Sequence, residues 1–469
     1  MSAAVQALPV FDRRRSGVLL HPSSLCGEHG ALGAAAREFI DWLRAAGATV
    51  WQVLPLGPVG IDRSPYWVRS DQAGNPEFID PREATDPERM RSSFEDFCYA
   101  QRDWLEDFVM FTALSRAHSA APWWTWSEPL RDRRPAALHD AALRLGSELR
   151  ALRVEQWQFA LQWSALRDYA RQCGVRLYGD LPIYLAPDSA ATWTQRSQFQ
   201  LKQDGQPATR AGVPPDYFSE DGQLWGNPLY DWDQARLDGF AFWRTRLAFQ
   251  LQRFDLLRID HFRGLAGYWS VPADAPTARE GQWVAAPGSE LLTALKAALS
   301  APSSDLPLVA EDLGVITPDV VALRRAFNLP GMRVLQFGFD GASDNPHLPY
   351  NFTPDTVVYT GTHDNDTTLG WYRSLDQTTA RRVDAMMGAG SAGGGAAQMP
   401  QALVRAALAS VSMLAMVPVQ DVLALGSEAR FNVPGTVGNN WSWRLHPGAL
   451  TAEAAEQFRT MNELFGRNA

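Results

Sequence analysis

The sequence predicts an α/β fold, a closed (β/α)8 or TIM barrel, in which helices surround eight parallel strands. Eight short apolar segments recur along the chain, most of them end in polar or charged residues, and helical periodicity follows them. Strands that are apolar along their whole length are typical of parallel sheets buried on both faces. Eight such strands favour a closed barrel, and an open doubly wound sheet is the structural alternative.

The predicted strands are short segments spread over the whole chain. In chain order they are 17–21 (GVLLH), 49–55 (TVWQVLP), 175–180 (VRLYGD), 255–260 (DLLRID), 306–311 (LPLVAE), 332–337 (MRVLQF), 356–361 (TVVYTG) and 414–421 (LAMVPVQD). Barrels of this type can exceed 400 residues when their loops carry insertions. We therefore expect residues 1–469 to form one barrel domain.

Two connections between the predicted strands are much longer than the others. Residues 64–171, between strands 2 and 3, are rich in Trp and in helix formers, which predicts a mostly helical inserted subdomain. Residues 182–254, between strands 3 and 4, show little periodicity and predict a loop-rich insertion. We expect both insertions to lie over the barrel mouth.

The composition excludes several classes of protein. The 469 residues include 43 Lys and Arg against 52 Asp and Glu, so the net charge is -9, and the chain lacks the basic surface that nucleic-acid binding needs. Cys26, Cys98 and Cys173 are too few for a disulfide framework. Neither a signal-peptide core nor an apolar run of the roughly 20 residues needed to span a membrane is present. We expect a cytoplasmic protein without nucleic-acid or membrane partners.

Acidic residues stand at the ends of three predicted strands. Asp260 ends the fourth (RIDHF), Glu311 the fifth (AEDLG), and Asp364 follows the seventh (THDND). The carboxyl ends of barrel strands meet at one mouth, where the active sites of such barrels are built. Carboxylates that converge there suit glycosidic bond cleavage, although the same oxygen atoms could hold a divalent cation. Arg258 shares a strand face with Asp260, so this pair could also be a structural salt bridge inside the barrel.

These three segments resemble the catalytic segments of the 4-α-glucanotransferases (amylomaltases or disproportionating enzymes) of glycoside hydrolase family 77. The resemblance covers nearly the whole chain. Further matching segments are SPY at 64–66, GDLPIY at 179–184, GVPPDYFS at 212–219, GQLWGNP at 222–228, VPVQD at 417–421 and EAR at 428–430. The PPDYFS and WGNP segments resemble this family in particular, rather than the α-amylase relatives in general.

The resemblance implies a function for three acids. Asp260 would be the nucleophile that forms a covalent glucosyl-enzyme, Glu311 the general acid and base, and Asp364 the stabiliser of the transition state. The implied reaction transfers segments of malto-oligosaccharides, or of starch- or glycogen-derived glucans, to the 4-hydroxyl group of an acceptor glucan or glucose. Stereochemistry at the anomeric carbon would be retained through double displacement. No metal and no cofactor is implied.

The resemblance also implies a set of substrate-binding residues. They are Tyr66, Asp180, Tyr217, Phe218, Gln223, Trp225, Arg258, His261 and His363. We expect Tyr217 and Phe218 to overhang the cleft and exclude water, which would favour transfer over hydrolysis. The sequence departs from the family's common pattern at 67–72 (WVRSDQ) and at Asp221, so the acceptor preference is not predicted.

Two other functions remain as alternatives. A hydrolytic α-amylase-type glycosidase would use the same acids, but such enzymes usually carry a C-terminal antiparallel β-domain. Here residues 451–465 predict a helix, so we expect no such domain. The third and least favoured function is a glucan-binding protein without catalysis, which is disfavoured because all three acids are present.

Overall fold

The computed structural model describes residues 10–26, 32–60, 62–215, 220–299, 305–388, 398–436 and 438–468. The strands of these residues, in chain order, are β1 (Arg15–Leu19), β2 (Val50–Gln52), β3 (Arg176–Pro182), β4 (Thr209–Val213), β5 (Gln223–Pro228), β6 (Leu256–Asp260), β7 (Gly267–Pro272), β8 (Gln282–Ala285), β9 (Leu308–Ala310), β10 (Gly331–Val334), β11 (Thr356–Tyr359) and β12 (Leu414–Pro418).

The α-helices of the described residues alternate with these strands for most of the chain. They are α1 (Ala34–Ala45), α2 (Arg91–Ala117), α3 (Glu128–Arg131), α4 (Pro135–Arg144), α5 (Gly146–Gln172), α6 (Ala190–Thr194), α7 (Trp232–Leu237), α8 (Ala241–Arg253), α9 (Gly288–Leu299), α10 (Pro318–Ala326), α11 (Thr368–Ser374), α12 (Gln377–Met387), α13 (Gln401–Ala409), α14 (Val419–Val422) and α15 (Ala452–Leu464). No helix of the described residues is long and apolar enough to cross a membrane.

Eight of the strands close into one parallel barrel, in the order β1, β12, β11, β10, β9, β6, β3, β2. Each of the eight predicted segments overlaps one of these strands, so the predicted (β/α)8 barrel is confirmed. Alternate side chains fill the interior, among them Tyr178, Leu256 and Tyr359. Their neighbours, such as Leu177 and Leu257, belong to the core between strands and helices. Both faces of the strands are therefore buried, which explains their nearly continuous apolar sequence.

Helices α2 to α5 lie between β2 and β3. The two longest, α2 and α5, contain 27 residues each and pack against one another. A separate cluster of buried side chains, including Phe111, Trp123 and Trp193, forms the core of this region. This second core explains part of the chain's high tryptophan content.

A smaller antiparallel sheet, with strand order β5-β4-β7-β8, lies beside the barrel. The sequence analysis did not anticipate this sheet. Its central pairing joins Thr209 to Pro272 and Gly212 to Trp269, so it depends on contacts between distant parts of the chain. Strand β5 carries Gln223 and Trp225 of the predicted site.

A buried arginine after α15 connects the C-terminal helix to the barrel. The Arg467 side chain is 0% exposed and donates hydrogen bonds to the backbone carbonyls of Arg15, Leu408, Ser410 and Ser412 at 2.6 to 3.0 Å. Because Arg15 begins β1 and Ser412 precedes β12, this side chain links the first and last barrel strands.

Replacing this arginine should destabilise the barrel. In Arg467→Ala, the buried carbonyl groups lose their donor at a cost of about 1–3 kcal/mol for each unsatisfied group, so we expect a loss of at least about 3 kcal/mol. The midpoint of urea unfolding measures the effect. Arg459→Ala on α15 is the control, because Arg459 is 52% exposed and pairs only at the surface with Glu463. Equal midpoints for the two variants would contradict this account.

Candidate active site

The structure brings the ends of the acid-bearing strands to one mouth of the barrel. Asp260 is the last residue of β6, and Glu311 directly follows β9. Asp364 lies in the connection between β11 and α11. Strands β6 and β9 are hydrogen-bonded neighbours, with Ile259 paired to Ala310. The two residues that follow this pair, Asp260 and Glu311, are therefore adjacent across the barrel rim.

A buried guanidinium group binds two of the carboxylates. Arg258 donates from Nη2 to Oδ1 of Asp260 and from Nη1 to Oδ2 of Asp180, both at 2.6 Å. The Tyr66 hydroxyl donates to the same Asp180 oxygen at 2.7 Å. The side chains of Arg258 and Asp180 are 6% and 0% exposed, whereas that of Asp260 is 29% exposed. Of these two carboxyl groups, that of Asp260 is therefore the one exposed to the cleft.

Backbone amides hold the Glu311 carboxyl group. Its Oε2 accepts the N–H of His261 at 2.6 Å, and its Oε1 accepts the N–H of Leu313 at 2.9 Å. Burial raises the pKa of Glu311 to about 7, with Arg258 opposing the rise and the negative charge of Asp260 adding to it. A carboxyl group with this pKa can donate a proton near neutrality and take it back.

The Asp364 side chain is 47% exposed at the mouth, and neighbouring side chains contact its carboxyl group and its backbone. Asn432 donates to its Oδ1 at 2.6 Å, and Arg430 donates to its backbone oxygen at 2.8 Å. The His363 ring lies 3.4 Å from Oδ2. Two side chains from the segment after α14 thus fix the position of this acid.

The loop that carries Asp364 is anchored by a buried acid behind it. Asp421, which is 1% exposed, accepts the hydroxyl of Thr360 at 2.5 Å. It also accepts the backbone N–H and the hydroxyl of Thr368, both at 2.7 Å. Because these bonds hold both ends of the loop between Thr360 and Thr368, the position of Asp364 depends on Asp421.

Aromatic rings line the cavity next to Asp260. The cavity has a volume of about 270 Å³ and is lined by Asp62, Ser64, Tyr66, Trp67, Pro182, Ile183, Tyr184, Trp225, Asn227, Asp260 and His261. The Trp225 ring meets His261 edge-on at 4.7 Å, and Tyr66 stacks on His363 at 5.2 Å. Burial lowers the pKa of His261 to about 4, so its ring is neutral near pH 7. A concave pocket with aromatic walls and a few polar groups suits a sugar ring.

The predicted site residues differ in their placement. Tyr66, Asp180, Trp225, Arg258, His261 and His363 belong to this arrangement. Gln223 is exposed on β5, where it accepts the indole N–H of Trp225 at 3.1 Å. Tyr217 and Phe218 lie outside the described residues. Among the described residues, no group of three His, Cys, Asp or Glu side chains could hold a metal ion.

Several residues of the site were not singled out from the sequence for the roles they have here. Trp67, Tyr184 and Asn227 line the cavity, and Asp421 and Asn432 support Asp364. Asp421 also ends a predicted apolar strand, which is the same signal that identified Asp260 and Glu311. The contact of Asn432 with Asp364 has no comparable signal, because 68 residues separate them.

Known proteins match this chain over nearly its full length. The family model for 4-alpha-glucanotransferase, glycoside hydrolase family 77, matches residues 20–91 and 81–451. The 4-alpha-glucanotransferase of Thermus thermophilus is 45% identical over 96% of this chain and 98% of its own length. That of Synechocystis sp. is 42% identical over 98% of this chain and 99% of its own.

A solved structure shows the same fold. Amylomaltase from Streptococcus agalactiae in complex with acarbose is 31% identical, with a TM-score of 0.92 over 97% of this chain and 100% of that chain. The resemblance inferred from the RIDHF, AEDLG and THDND segments is thereby confirmed. The chain belongs to glycoside hydrolase family 77, the family of the 4-alpha-glucanotransferases.

Proposed function

We propose that this protein is a 4-alpha-glucanotransferase that transfers α-1,4-glucan segments from a donor malto-oligosaccharide, or a starch- or glycogen-derived glucan, to an acceptor glucan or glucose. The main support is the arrangement of Asp260, Glu311 and Asp364 around one cleft in a chain of this family. The curated relatives compared above are named as transferases, which does not favour the hydrolytic α-amylase-type alternative.

In the first step, Asp260 is the proposed nucleophile. One of its oxygens attacks the anomeric carbon of the donor, the glycosidic C–O bond breaks, and Glu311 gives its proton to the departing oxygen. The contact with Arg258 at 2.6 Å supports this role, because it holds the Asp260 carboxyl group in a fixed orientation at the cleft. The products are a glucosyl-enzyme ester and a shortened glucan.

In the second step, Glu311 is the proposed base. It takes the proton from the 4-hydroxyl group of the acceptor, whose oxygen attacks the anomeric carbon and releases Asp260 as a carboxylate. The raised pKa of Glu311, about 7, supports both directions of proton transfer near neutrality. Asp364 is assigned to binding sugar hydroxyls and stabilising the positive charge of the transition state.

Transfer rather than hydrolysis requires that a sugar, and not water, occupies the acceptor side. We assign this side to the 270 Å³ cavity, because the rings of Trp67, Tyr184 and Trp225 can cover the apolar faces of a glucose unit. Tyr217 and Phe218 remain part of the proposal as residues that exclude water.

We also propose a cytoplasmic location. Cys26, Cys98 and Cys173 are all free thiols in the structure, which is usual for a protein of a reducing compartment.

Trapping of the covalent intermediate tests the catalytic assignments. In Glu311→Gln, turnover of maltotriose should fall about 10²- to 10⁴-fold, because no proton reaches the leaving oxygen. With α-maltosyl fluoride, whose leaving group needs no proton, a maltosyl-enzyme should accumulate, since the base for the second step is missing. Mass spectrometry of peptides should locate the sugar on Asp260. A label on another residue would refute the nucleophile assignment, and Asp260→Asn should give no label.

The pH dependence tests the role of Glu311 as the acid. Above the pKa of about 7 the carboxyl group is ionised and has no proton to donate. We therefore expect kcat/KM for maltotriose to fall roughly tenfold for each pH unit above that value. The same profile for formation of the glycosyl-enzyme from α-maltosyl fluoride should lack this fall. A decline of equal size with both donors would assign it to another group.

Trp67 should determine how well the acceptor binds. Loss of one aromatic wall in Trp67→Ala should raise the KM for acceptor glucose about fivefold, at a cost of about 1 kcal/mol. With α-maltosyl fluoride as donor and saturating acceptor, kcat should stay close to that of the wild type. Trp283→Ala is the control, because Trp283 is 44% exposed on β8 and is not part of the cavity wall. An unchanged acceptor KM in Trp67→Ala would remove this residue from the acceptor site.

A further inference from the structure

A second and larger groove lies outside the active-site cavity, between α2 and α8. It has a volume of about 630 Å³, and its walls include Gln101 and Trp104 of α2 and Thr245, Arg246 and Phe249 of α8. A cavity of about 350 Å³ beside α5 shares four of its lining residues, namely Gln101, Trp104, Phe249 and Gln252. The two spaces therefore adjoin along these residues, and together they are called the groove below.

The lining of this groove combines aromatic rings with amide groups. Trp104 and Phe249 stand where the two spaces meet, with their ring centroids 5.5 Å apart. Gln72, Gln101, Gln195, Gln198 and Gln252 contribute neutral donors and acceptors along the walls. Amides bind hydroxyl groups, and aromatic rings cover the apolar faces of sugars.

Acids outnumber cations along the larger space. Asp71 is paired with Arg246 at 2.5 Å and Asp107 with Arg133 at 2.6 Å, whereas Asp238 accepts from the neutral amide of Gln198 at 2.7 Å. The acids oppose an anionic ligand, and their oxygens can accept hydrogen bonds from hydroxyl groups. This lining suits a neutral ligand with many hydroxyl groups.

One buried cation beside the smaller space is also paired within the protein. Arg167 is 5% exposed, and its Nη1 donates to the backbone oxygen of Gln252. Its Nη2 lies 3.8 Å from Oδ1 of the buried Asp255. This guanidinium group therefore does not offer a free positive charge to an anionic ligand.

We propose that this groove is a second binding site for a linear α-1,4-glucan. The inference rests on the proposed function, because that activity supplies the glucan. The side of α8 between Ala241 and Gln252 extends over about 17 Å at 1.5 Å per residue, enough for several sugar units in a row. The site would bind long chains and leave short donors unaffected.

The groove shares a wall with the active-site cavity. Arg246 donates to the backbone oxygens of Pro182 at 2.5 Å and Ile183 at 3.2 Å, and both of these residues line that cavity. A glucan held in the groove would be concentrated beside the active site. Binding at two places on one polymer raises the apparent affinity without any new contact at the reacting sugar.

Two variants of the groove test this proposal. Trp104→Ala removes an aromatic ring, and Thr245→Arg places a bulky side chain at an exposed position of the wall. The control is Tyr99→Ala, because Tyr99 is 73% exposed on the same helix and does not line the groove. Retardation in native gels that contain amylose measures binding, and the KM values for amylose and maltotriose measure the effect on catalysis.

Both groove variants should lose most of their retardation, and their KM for amylose should rise about fivefold. The KM for maltotriose should stay at the wild-type value, and the control should match the wild type in every measurement. If Trp104→Ala does not fold, Thr245→Arg alone decides the outcome. Unchanged retardation and an unchanged amylose KM in the folded groove variants would overturn the proposal. Absence of maltotriose disproportionation in the wild type would instead refute the proposed function. Retardation in the amylose gels would still show whether the groove binds glucan, because that measurement does not depend on catalysis.

Discussion

The arrangement of the active site depends on the ion pairs of Arg258 inside the barrel. A guanidinium group that is 6% exposed would be costly to bury alone, and Asp180 and Asp260 would repel one another without it. The three side chains also connect β3 to β6. The backbones of these two strands pair along their length, with Tyr178 opposite Leu256 at one end and Pro182 opposite Asp260 at the other. Removal of one partner from such a buried pair typically costs about 3–5 kcal/mol. The orientation of the proposed nucleophile and the integrity of the barrel interior therefore have a common origin.

The three acids at the mouth are supported in three different ways, and their chemical differences follow from this. Asp260 is held by the guanidinium group of Arg258. Glu311 is bound by two backbone amides but is buried, and burial dominates its raised pKa. Asp364 is more exposed and is held through Asn432 and the loop behind it. One barrel rim thus presents three acids that differ in exposure and in the groups that hold them.

The sequence was sufficient for the barrel because each strand is local and is apolar on both faces. The same segments also located the acids, since Asp260 and Glu311 stand where the apolar runs end. The small antiparallel sheet escaped prediction because it joins residues as distant as Thr209 and Pro272, and its strands contain glycines without clear alternation. Nothing in the sequence around Asn432 indicates its contact with Asp364, which arises only when the last barrel strand closes the ring.

The segment 67–72, where the sequence departs from the family's common pattern, lies between the two sites described above. Trp67 faces the cavity beside Asp260, whereas Asp71 lies in the groove wall and binds Arg246. Neither residue contacts Glu311 or Asp364 in the hydrogen bonds of the described residues. Substitutions in this segment are therefore expected to change the cavity and the groove wall while the acids keep their geometry.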